Sequence, residues 1–134
     1  MDKIEQKKYP IGQFQCPEKI SDPELDQFIR TIKEFPSKLK HLVENWTDEQ
    51  LDTQYREGGW KVRQLINHLA DSHMNSFIRF KLALTEENPT IKPYHEAKWA
   101  ELADAQHLPI ESRPKLLEVL HHRWPVLIKS LSEA

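Results

Sequence analysis

Apolar residues recur along this chain at helical spacing. Leu25, Phe28, Ile29, Ile32, Phe35, Leu39, Leu42, Val43 and Trp46 follow one another mostly three or four positions apart, the period of an amphipathic helix. Ser21 or Asp22 can cap that helix, and Pro23 suits its first turn, where no amide hydrogen is needed. Pro36 falls inside the pattern, so a kink or break is expected there. Thr47-Asp48-Glu49-Gln50 is a capping-box pattern that opens a short helix through Leu51. From Trp60 to about Glu87 there is neither glycine nor proline, which predicts one central helix of roughly seven turns. Its broad apolar face is Val62, Leu65, Ile66, Leu69, Ser76, Phe77 and Phe80, with Phe77 and Phe80 expected in the core. His95 to Ala105 is compatible with a short helix, and Pro109 and Pro114 bracket the next start. The last helix carries Leu116, Leu117, Leu120, Trp124, Leu127, Ile128 and Leu131, and Pro125 should bend it. Residues 1–20 read as an extended arm, with a turn at Tyr9-Pro10-Ile11-Gly12, ahead of one helical domain over 21–134. With no strand pattern and no repeat, the fold class is all-α.

Composition narrows the function classes. The 134 residues suit a single domain, and their net charge of -2 offers no basic face for nucleic acid. Three glycines, Gly12, Gly58 and Gly59, cannot spell a Walker loop or a dinucleotide fingerprint. One cysteine, Cys16, excludes an intrachain disulfide and makes a reducing, cytoplasmic setting the expectation. No apolar run approaches the ~18 residues of a membrane span, and Met1-Asp2-Lys3-Ile4-Glu5 is too polar for a signal peptide.

The chemistry-bearing residues sit on the central helix. On its wheel His73 lies within the apolar face and His68 on the edge, beside Ser72 and Arg79. Inward-facing histidines are where bundle metal sites are built, though one alone is more often a partly buried structural residue. By periodicity alone His73 is the better ligand candidate. No HExxH or HxxxH occurs, so no pair chelates across one helical turn. His68 and His73 are five apart, and His121 and His122 are adjacent and diverge by ~100°. The expected partner of His121 and His122 is Glu118, three and four positions away. Cys16 has no basic neighbour to activate it. Trp46, Trp60, Trp99 and Trp124 read as packing residues, and Lys38, Lys40 and Lys61 as solvated charges.

Long strings of this chain resemble a known family. Leu51-Asp52-Thr53-Gln54-Tyr55-Arg56-Glu57-Gly58-Gly59-Trp60-Lys61-Val62-Arg63-Gln64, then His68-Leu69-Ala70-Asp71-Ser72-His73-Met74-Asn75-Ser76, are similar to the loop-to-helix entry of YfiT-type metal-dependent hydrolases of the DinB-like superfamily. Tyr9-Pro10-Ile11-Gly12, Pro89-Thr90-Ile91-Lys92-Pro93-Tyr94, Trp99 and the stretch from Leu120 to Trp124 carry the same likeness. The resemblance implies an up-and-down four-helix bundle, here reduced to about three main helices plus the N-terminal arm. It further implies a homodimer, a small-molecule substrate and a divalent metal, zinc or nickel, held by three histidines. One of those ligands matches His68, which replaces the preference for His73. The other two belong to an HxxxH on a fourth helix, expected beyond Leu131-Ser132-Glu133-Ala134.

Three readings follow: a metal-dependent hydrolase, a bacillithiol-type thiol S-transferase on the same metal, or a non-catalytic dimeric helical module without a complete site. Three neutral imidazoles and an open position suit either chemistry, by ionising water or a thiol.

Overall fold

The computed structural model describes residues 2–131. Among these, the chain is helical and forms no extended strand: α1 (Lys3–Lys8), α2 (Asp22–Val43), α3 (Asp48–Leu51), α4 (Val62–Thr85), α5 (Glu96–Trp99), α6 (Ala103–His107) and α7 (Arg113–Ser130), with a 3-10 turn at Ile110–Ser112. The expected central helix is present as α4, two residues shorter at each end. The arm is not wholly extended, because α1 occupies its beginning, with Asp2 capping the Ile4 amide and Lys8 bound to Glu5 at 2.7 Å.

Side chains set the helix starts. Ser21 and Glu24 close a reciprocal capping box on α2, as Thr47 and Gln50 do on α3. At the start of α4 the Gln64 carboxamide oxygen accepts from the Lys61 amide at 3.0 Å. The Gln64 amide nitrogen meanwhile donates to the Ala100 carbonyl at 2.9 Å. One buried side chain thus caps the central helix and ties the α5–α6 segment to it.

Pro36 and Pro125 do not break their helices; α2 and α7 run through them. A proline costs an interior helix one i→i−4 bond. At Pro36 the bond lost is the one to the Ile32 carbonyl, and that oxygen instead accepts from the ring Nδ1 of His121 on α7. The helix continues because another element satisfies the open carbonyl.

The long helices α2 and α4 both pack on α7, while scarcely touching each other's backbone. Their side chains meet in two clusters. One joins Leu39 and Val43 of α2, Ile66 and Ala70 of α4 and Leu117 of α7 around Leu51. The other is Phe77, Leu120 and Trp124, with Ile32, Met74, Phe80, Leu127 and Ile128 against it. Phe77 is buried as expected, whereas Phe80 is only partly so. The apolar pattern overstates the core elsewhere: Phe28, Leu42 and Leu116 are exposed.

Candidate functional site

The entry to α4 is a pinched loop. The Tyr55 amide donates to the Trp60 carbonyl at 3.2 Å and the Val62 amide to the Thr53 carbonyl at 3.0 Å. Its tip is a turn closed by the Gly59 amide on the Arg56 carbonyl, with Gly58 at φ +68°, a left-handed position that favours glycine. Gly59 is needed for room. A Cβ there would lie 2.7 Å from Arg56 Cγ and 2.9 Å from Tyr55 Cε1. The loop is anchored beneath by Arg63, buried on α4, whose guanidinium donates to Asp48 at 2.6 Å and to Asp52 at 2.9 Å. The Asp48 bond chiefly holds that guanidinium more firmly protonated than usual.

His68 stands where this loop meets the α5 segment. Its ring packs against Trp60, with centroids 4.9 Å apart. Its Nε2 lies 3.9 Å from a Glu96 carboxylate oxygen. A cavity of about 360 Å³ opens here, lined by Tyr55, Arg56, the two glycines, Trp60, Leu65, His68 and Glu96. The Arg56 guanidinium donates from Nε to the Tyr55 hydroxyl and from Nη1 to the Glu57 carbonyl, and brings positive charge to the cavity. One turn further along α4, burial pushes the Asp71 carboxyl up, helped by Asp104 and opposed by His68. Burial likewise raises the Tyr94 phenol, against a hydrogen bond to Ser72 that lowers it.

His73 turns to the opposite side of the helix and joins a different group. Its Nδ1 is 2.6 Å from Nε2 of His121. Both rings pack with Phe35 and Trp124; Phe35 stacks on His121 at 5.6 Å. The structure therefore separates His68 from His73, as their five-residue spacing requires. It also corrects the expected role of His121. That residue is 2 % exposed and bonded to His73 and Ile32, not to Glu118, which faces Lys40 at 4.0 Å. His122 is exposed. Sequence reasoning missed the His73–His121 pair and Glu96. The signal for the first was Pro36, which implies an open carbonyl one turn earlier; Glu96 had no signal.

Among the described residues no three histidine, cysteine or acidic side chains converge as a metal-binding group. His68 has one carboxylate within 4 Å, so these residues do not make a complete metal site. The second and third ligands implied by the resemblance fall outside the described residues. Cys16 is free and exposed. No helix among the described residues is long and apolar enough to cross a membrane.

Three long helices around a shared core, with a histidine-bearing cavity at the loop end of the central one, define a helical-bundle protein. The family described as the DinB superfamily matches residues 31–133, and the chain belongs to it. It is 52% identical to the Bacillus subtilis protein named "Putative metal-dependent hydrolase YfiT", over 93% of this chain and 70% of that one. A relative from Oceanobacillus iheyensis, also named a "putative metal-dependent hydrolase", is 55% identical over 93% of this chain and 72% of its own length. The solved structure of Bacillus subtilis YfiT superposes with a TM-score of 0.91 at 52% identity, covering 94% of this chain and 72% of that one. It is described as "a probable metal-dependent hydrolase with an unusual four-helix bundle topology".

Proposed function

We propose that this chain carries part of the site of a divalent-metal-dependent hydrolase acting on a small molecule, with His68 as a metal ligand. The observation that carries the reading is the place of His68: half-buried, braced by Trp60, and open to a cavity of metabolite size. The high identity to relatives named as metal-dependent hydrolases supports it and favours hydrolysis over thiol transfer. Zinc and nickel both suit imidazole ligation. A bound divalent ion supplies a Lewis acid that lowers the pKa of water. The chain's own residues have other work. Trp60 fixes the plane of the His68 ring, Glu96 sets a negative charge beside Nε2, and Arg56 offers a cation to an anionic part of the substrate.

Titration of zinc or nickel into the chain, followed by calorimetry and by histidine resonances, tests the assignment. Weak binding that perturbs His68 first, and that His68→Ala abolishes, is expected. A metal response at other histidines with His68 untouched would refute the assignment. Tight one-to-one binding unaffected by His68→Ala would mean that other side chains form the site.

A further inference from the structure

The contacts of His121 dictate where its proton sits. The Ile32 carbonyl can only accept, so the His121 Nδ1 facing it carries a hydrogen. In the neutral ring Nε2 is then a lone pair. The His73 Nδ1 at 2.6 Å must be the donor in that contact. That leaves the lone pair of His73 on Nε2, which has no hydrogen-bond partner among the described residues. Both rings are held neutral chiefly by burial, which lowers their basicity. The chain of bonds begins at Pro36, whose missing amide hydrogen leaves the Ile32 carbonyl open to α7. Phe35 stacks on His121, and Trp124 stands edge-on to both imidazoles, so neither ring has an easy alternative rotamer. Trp124, 8 % exposed, keeps its indole N–H buried without a partner among the described residues. One buried donor in this cluster is therefore left unmet among the described residues.

We propose that Pro36, through the carbonyl of Ile32, and His121 form a positioning relay. The relay fixes the tautomer of His73 and leaves its Nε2 as an unprotonated nitrogen, free to accept a hydrogen. A second partner that fixes the ring and its tautomer is what equips a histidine for such a role. His68 has no comparable arrangement: its ring is braced by an aromatic side chain and one carboxylate at 3.9 Å. The relay is independent of the metal assignment, and its test needs neither metal nor substrate.

Long-range proton–nitrogen correlation of the histidine rings at neutral pH decides the matter. Both His73 and His121 are expected as single neutral tautomers with hydrogen on Nδ1, and His73 Nε2 as a pyridine-type nitrogen. His121→Phe keeps a ring in the cluster but removes both bonds, and His73 should move to mixed tautomers or to Nε2–H. Pro36→Ala returns an amide hydrogen to compete for the Ile32 carbonyl, and should speed exchange of the His121 Nδ1 proton. It favours the helix, so it remains informative if His121→Phe does not fold. A wild-type His73 with hydrogen on Nε2 would overturn the relay. So would a His73 tautomer indifferent to the substitutions that fold.

Discussion

The neutral state of His73 should make the protein lose stability in mild acid. In the folded chain its pKa is lowered to about 4, chiefly by burial, with His121 and His68 adding to the effect. In the unfolded chain it returns to an ordinary 6.5. Between those values the unfolded state binds more protons, so stability rises with pH across the window. The contribution is fully present above about pH 6.5, falls as pH drops through the window and levels off below about pH 4. At about 1.36 kcal/mol per pH unit, the gap sets a ceiling of about 3.4 kcal/mol. His73 is only half-buried, so screening by water reduces this to roughly 1–2 kcal/mol. Burial lowers His121 as well, which steepens the same slope. Urea unfolding followed by tryptophan fluorescence at pH 7.5, 6.5, 5.5 and 4.5 measures it, with His73→Gln as the comparison. The wild type should weaken between 6.5 and 4.5, and the variant much less. Equal stability of the wild type at 7.5 and 4.5, or an unchanged slope in His73→Gln, would refute the argument.

Phe77→Ala should cost about 3–5 kcal/mol, because the ring is buried between α4 and α7, and Phe80→Ala less, because Phe80 is half-exposed. Chemical denaturation that ranked Phe80 above Phe77 would contradict the packing. Gly59→Ala should destabilise by about 1–3 kcal/mol, since its methyl group meets Arg56 and Tyr55 below van der Waals distance. Its effect should also reach the His68 ring resonances; a thermal melt and ring spectrum identical to wild type would show that the loop yields freely. We expect self-association, since Leu116, Val119 and Val126 on α7 are exposed apolar side chains. Light scattering that reports a monomer over a wide concentration range would count against it.

Much of the bundle was legible because helices announce themselves locally. The capping boxes at Ser21 and Thr47, the unbroken run that became α4 and the apolar stripe of α7 depend on neighbours within one turn, which the sequence spells directly. The metal role proposed for His68 came only from resemblance, because local spacing favours His73 instead. The helix wheel placed His73 inward, which is where it lies, yet could not show what it meets. Its partner His121 is 48 residues away. His121 in turn finds its acceptor 89 residues away. No periodicity encodes which of several inward residues on separate helices come opposite one another. Pro36 illustrates the division. By itself the sequence determined that one carbonyl of α2 would lose its amide partner, because proline has no N–H. Only the docking of α7 decided that an imidazole, rather than water or a break in the helix, would satisfy it, because hydrogen bonds between elements depend on distances that the chain acquires when it packs.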